Sequence, residues 1–121
     1  MCNKYFCVDK KDWERKCEII EARGIQVDYC DLFDAYADSD SMQERYDGYE
    51  KIYLVDNRLF RIAENYHRHN GPRYVATQVL GADNVSHDIR NYGRDYFTRG
   101  LGVSDSCYRK LCEIYHVEEK D

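Results

Sequence analysis

Apolar residues in this chain first recur at helical spacing, then alternate, then return to helical spacing. Trp13, Cys17 and Ile20 are separated by four and three positions, which predicts a helix with Asp9 as its cap and Asp12 in its first turn. Gly24 is expected to stop it in the left-handed conformation. Ahead of that helix, residues 3–8 (Asn-Lys-Tyr-Phe-Cys-Val) read as an opening strand, while residues 25–27 are too few to assign. Tyr29, Leu32, Phe33 and Tyr36 fall at i, i+3, i+4 and i+7 and predict a second helix over 28–38. Ser41 to Glu44 then forms a capping box for a short helix ending near Gly48.

The alternating part follows. Lys51–Val55 and Leu59–Ile62 flank Asp56-Asn57 as a hairpin, although Asn-Arg lacks the glycine that two-residue turns favour. Gly71-Pro72 marks a break before Tyr74–Leu80, so residues 50–80 form an antiparallel meander with one face left for helices. Helices are expected over 84–99 and 104–116, joined by Gly100–Val103 into a C-terminal αα-hairpin spanning 84–117. The fold class is α+β: a single domain over 1–121, with a three- to four-stranded antiparallel sheet packed against helices. A chain of 121 residues and 14.5 kDa is long enough for one core and too short for two.

Charge changes the picture. Residues 28–56 hold nine acids, five tyrosines and two basic residues, while the rest of the chain has sixteen basic and fourteen acidic residues. The overall charge of -5 therefore comes from one segment. On a helix over 28–38, Asp28, Asp31, Asp34 and Asp38 would share about 120° of arc, and each like-charge pair would cost a few tenths of a kcal/mol. A merely solvated face mixes signs; this one does not. With Asp40, Glu44 and Asp47 as further carboxylates and Tyr36, Tyr46 and Tyr49 as anchors, the segment suits a basic groove on another protein. In size, charge and tyrosine use the chain is similar to small phage-encoded proteins that block CRISPR nucleases or restriction enzymes by DNA mimicry. That likeness implies a non-enzymatic inhibitor in the host-cell cytoplasm, with a basic nuclease or CRISPR effector as partner and no cofactor. The start Met-Cys-Asn-Lys lacks the basic-then-apolar pattern of a secretion leader, and no apolar run nears the ~20 residues that span a membrane. Either a monomer or a homodimer is compatible with these features.

A second resemblance is local. Phe97-Thr-Arg-Gly-Leu-Gly-Val-Ser104 and the thirteen residues after it resemble the turn and second helix of helix-turn-helix DNA-binding domains. Thr98, Gly102, Val103, Ser104, Leu111 and Cys112 occupy the small, turn, hydrophobic, cap and buried places. The likeness implies a transcriptional regulator whose Ser104, Asp105, Ser106, Arg109 and Lys110 meet the major groove, with Arg109 reading a guanine. Residues 83–121, however, hold six basic and eight acidic residues, an unfavourable balance for phosphate binding. Arg58, Arg61, Arg68, Arg73, Arg90, Arg94 and Arg99 offer another route to nucleic acid, with Tyr66, Tyr74 or Tyr92 stacking on bases, or to the acidic segment of a second copy.

Catalytic and metal chemistry finds little support. Without a secretion leader, Cys2, Cys7, Cys17, Cys30, Cys107 and Cys112 are expected to be reduced and to serve as small core hydrophobes, while the Cys2/Cys7 and Cys107/Cys112 spacings point paired thiols apart on a strand or helix and argue against zinc. His67 and His69 lack a third ligand, and Met42 and Gln43 spoil the calcium-loop start at Asp38-Ser-Asp40. No nucleophile stands at a readable spacing from His87 or His116, and there is no phosphate-binding loop. The expectation is a protein with no catalytic residue and no metal site.

Overall fold

The computed structural model describes residues 9–31, 46–67 and 71–120. Helix α1 (Lys10–Arg23) begins where Asp9 accepts a hydrogen bond from the Asp12 backbone N–H at 3.0 Å, and it buries Trp13, Cys17 and Ile20. Its end corrects the expectation for Gly24, which is extended (φ -111°, ψ 170°) rather than left-handed. Glycine is needed there for space. A Cβ would lie 2.6 Å from Val55 Cγ2 and 2.8 Å from the Ile20 carbonyl oxygen.

Four strands follow: β1 (Ile25–Asp31), β2 (Tyr46–Val55), β3 (Arg58–His67) and β4 (Gly71–Gln78). They pair antiparallel in chain order. The hairpin forms at Asp56 and Asn57, whose φ values of 49° and 66° suit a type I′ turn that Asp and Asn tolerate in place of glycine. Asn57 also ties the turn to the C-terminal helices: its Oδ1 accepts from the Ser86 N–H at 2.6 Å and from the Tyr115 hydroxyl at 3.1 Å. Gly71 and Pro72 open β4 instead of preceding it, which an outer strand allows because Pro lacks only a donor.

β1 overturns one expectation. Residues 28–31 are strand, not helix, because Ile25–Asp31 pairs along β2 and buries Val27, and cross-strand hydrogen bonds with burial outweigh a local helical period. A bulge between Gln26 and Asp28 shifts the register. Val27 and Asp28 thereby both serve the side facing the C-terminal helices. Tyr46–Gly48, expected to end a short helix, belong to β2. The expected opening strand over 3–8 lies outside the described residues, as do 32–38 and 41–45.

The predicted 84–99 helix is interrupted. Helix α2 (Val85–Asn91) ends at Tyr92, a π-helical turn covers Tyr96–Gly100, and helix α3 runs Asp105–Tyr115. The break at Gly93 lets the segment after α3 pack there: the Arg94 N–H donates to the Lys120 carbonyl at 2.7 Å, and a Cβ on Gly93 would meet that oxygen at 2.9 Å. The sheet is thus covered on both faces. A larger core (Leu59, Val85, Ile89, Phe97, Tyr108, Leu111 among others) lies under the C-terminal helices, and a smaller one (Trp13, Cys17, Ile20, Tyr53, Val55, Ile62, Ala76) under α1. Among the described residues no helix is long and apolar enough to cross a membrane.

Candidate partner-binding face

Pairing register assembles one row of side chains from all four strands. Asp31 stands opposite Tyr49, Tyr49 opposite Glu64, and Glu64 opposite Tyr74. Directly paired residues share a face, so acid and tyrosine alternate across the sheet on the side of α1. Tyr74 packs on Trp13 with ring centroids 5.1 Å apart, which anchors one end of the row to the helix. At the other end Tyr29, diagonal to Tyr49 across the ladder, stacks on it at 6.3 Å with planes 9° apart. Tyr29 is 53% exposed, so one flat side of the pair faces solvent.

The second row adds Lys51, opposite Tyr29. Its ammonium lies 3.7 Å from Glu21 Oε2 of α1 and 5.2 Å from the centre of the Tyr49 ring. It therefore pairs with Glu21 across the gap between β2 and α1. Burial pushes the Tyr49 hydroxyl up to about 12, helped by the charge of Glu64 and a hydrogen bond to it. Burial likewise raises the Cys17 thiol to about 11, with the Glu21 charge adding to the effect. Both groups stay neutral at physiological pH, and the site offers carboxylates and tyrosine rings.

Of the predicted acidic residues, Asp28 and Asp31 fall on opposite faces, because three positions along a strand reverse the side chain where three along a helix do not. Asp28 accepts from the Ser104 hydroxyl at 2.8 Å, and Ser104 Oγ in turn accepts from the Cys107 N–H at 3.0 Å. Asp28 is thus committed to holding the start of α3 against β1. Glu50, on that same face, pairs with Arg61 at 3.2 Å. Tyr46 and Asp47 are placed by their backbone opposite His67 and Tyr66. Asp34, Tyr36, Asp38, Asp40 and Glu44 lie outside the described residues.

Tyr29, Glu64 and Tyr74 were not singled out as a group by sequence reasoning, yet a signal existed for part of it. With Asp56-Asn57 fixed as a two-residue turn, counting back along both strands puts Glu64 against Tyr49. Nothing comparable announced the β1 register, because the bulge displaces it.

The helix-turn-helix residues are also placed. Gly102 has φ +74°, Val103 is buried and Ser104 caps α3, while Asp105, Ser106, Arg109 and Lys110 are exposed. Two of these are engaged within the chain: Arg94 lies 3.2 Å from Asp105, and Arg109 lies 3.6 Å from Glu119. Of the arginines considered as one patch, Arg68 lies outside the described residues, and Arg58, Arg61 and Arg90 stand on different parts of the molecule. Val55 and Arg58 pair on the α1 side, Arg61 holds Glu50 on the other, and Arg90 lies over the Tyr115 ring. Cys17, Cys107 and Cys112 are buried and outside any disulfide, as expected of core thiols, whereas Cys30 is exposed. Among the described residues no three metal-ligating side chains come together. Comparison with protein-family models finds no match, and neither does comparison with curated proteins or with solved structures.

Proposed function

We propose that this chain is a non-enzymatic protein-binding inhibitor, encoded by a phage or mobile element, that presents an acidic, tyrosine-bearing face to the nucleic-acid-binding groove of a nuclease or effector complex. The row Asp31, Tyr49, Glu64, Tyr74 carries the reading. Carboxylates two strands apart stand about 10 Å from one another, and tyrosines between them supply rigid contact area at small entropic cost. Such a surface repels phosphates and attracts the lysines and arginines that line a nucleic-acid groove. Asp34, Asp38, Asp40, Glu44 and Asp47 extend the same charge along the sequence.

A helix-turn-helix regulator is the second reading, favoured by the left-handed Gly102 and the Ser104 cap. Phosphates would meet α3 beside the Asp28 carboxylate and the carboxylates of Asp105 and Glu113, which weakens it.

Capture by an immobilised basic nuclease, such as a Cas9 complex, together with a gel shift on random duplex DNA, separates the two. Asp31→Lys with Glu64→Lys should weaken nuclease capture at least tenfold while the fold is retained by circular dichroism. A salt-sensitive DNA shift lost in Arg109→Ala would instead establish the regulator, and capture indifferent to both reversals would sink the acidic-face reading.

A further inference from the structure

At the opposite end of the α1 face, away from the tyrosine row, the chain closes a groove of about 430 Å³ lined by Ile19, Ile20, Arg23, Val55, Asp56, Arg58 and Phe60. Its origin is local. Gly24 lets the end of α1 approach the hairpin until the backbone nearly touches Val55, and the type I′ turn swings Asp56 out beside the last helical turn. The floor is apolar: Ile20 and Val55 are buried, Phe60 is half-buried, and Ile19, 52% exposed, forms an apolar lip. Two guanidinium groups stand at its rim. Arg23 is held by Asp56 at 2.6 Å, but both side chains are more than 60% exposed, so water and other anions can exchange with that pair. Arg58 is exposed, and among the described residues no carboxylate pairs with it.

An apolar floor with two cations and one anion on its edge has a chemical preference. A neutral apolar molecule would satisfy the floor and leave Arg58 without a counter-charge. A small hydrophilic anion would pair with Arg58 and leave Ile19 in water. A ligand with an apolar body and one carboxylate satisfies both, and the volume lies within the range of small-molecule sites. Bidentate pairing with a planar carboxylate is the geometry arginine suits best.

We propose that this groove binds a small amphipathic carboxylate, its aryl or acyl body on Ile19, Val55 and Phe60 and its carboxylate on Arg58, with Arg23 as the second donor. The site is separate from the acidic row and does not depend on the inhibitor reading.

Titration of ¹⁵N-labelled protein with 1-naphthaleneacetate, read by amide shifts, tests it. Saturable shifts confined to residues 19–24 and 55–60 are expected. Arg58→Gln should raise Kd about two- to fivefold, as loss of one charge-assisted pair at an exposed site would. Asp56→Asn, which removes the competing carboxylate, should leave Kd unchanged or lower it two- to threefold. The neutral analogue 1-naphthaleneethanol should bind at least fivefold more weakly. Equal binding of the neutral analogue, an unchanged Kd in Arg58→Gln, or shifts that do not saturate would each overturn the proposal.

Discussion

Under the C-terminal helices, Leu59, Val85, Ile89, Phe97, Cys107, Tyr108 and Leu111 have no exposed surface, with Leu54, Leu101 and Val103 at the margin keeping 6 to 8%, whereas under α1 only Ile62 is sealed to 1% and Trp13, Cys17, Ile20, Tyr53, Val55 and Ala76 keep 6 to 9%. The same strands build both sides, so the difference comes from what covers them. The C-terminal side is closed by two helices, a π-helical turn and the strap from Val117 to Lys120, whose backbone N–H donates to the Tyr108 hydroxyl at 2.8 Å. One fourteen-residue helix covers the other side and leaves tyrosines, carboxylates and a groove along its borders. One face holds the fold together, and the other, less tightly sealed, has room for contacts with other molecules.

Truncating one large side chain in each core is the strongest way to break that contrast. Phe97→Ala should lower unfolding free energy by about 3 to 5 kcal/mol, and Trp13→Ala by about 2 to 3, since a core with an open rim relaxes around the space left behind. Urea unfolding measures both, and equal losses would remove the asymmetry.

Alkaline pH sharpens it. Burial raises Cys107 to about 12 and Cys17 only to about 11, from an ordinary value of 9.0. In both the neutral form is favoured by folding, so the unfolded chain loses its proton first. The stability these thiols contribute is complete below pH 9 and declines as pH rises through the folded values. By pH 10.5 the loss from Cys107 should reach about 1 to 2 kcal/mol, and Cys107→Ala should flatten that part of a plot of urea midpoint against pH. A wild-type profile with no decline above pH 9 would contradict the sealed character of this face.

The smallest effect concerns the clasp between the sheet and α3. Ser104→Ala removes the helix cap and the bond to Asp28 and should cost about 1 kcal/mol. Its capture by a nuclease should match that of wild type, because Asp28 and Ser104 lie on the structural face. A weakened capture would place the partner on the wrong side of the sheet.

Much of this contrast was legible beforehand. Trp13, Cys17 and Ile20 announced α1, alternation announced the hairpin, and the Leu111, Cys112 and Ser104 pattern announced α3, because each is a local period with a local cap. The acidic face was legible in composition but not in geometry. Tyr29 sits at a helical interval from Leu32 and Phe33, yet pairing with β2 makes its neighbours Tyr49 and Lys51, residues some twenty positions away. No period carries that information. The broken helix after Asn91 was hidden for a similar reason, since the break serves a segment that returns only at Lys120.

Topology and the hydrogen bonds of Asn57 lead us to expect an order in folding. Because the strands pair in sequence and β2 and β3 are joined by two residues, their ladder is the long pairing with the smallest loop to close, and it can zip before any helix docks. Once the turn is made, its side chain is already aimed at the places where the Ser86 N–H and the Tyr115 hydroxyl will arrive, and its Nδ2 at Asn84 Oδ1, 2.8 Å away in the finished molecule. The hairpin therefore acts as a template with a prebuilt landing point. Asn57→Gly, which keeps the positive φ and removes the side chain, should still zip its hairpin, but its C-terminal helices should dock late, with the largest apolar face of the sheet in water during the delay.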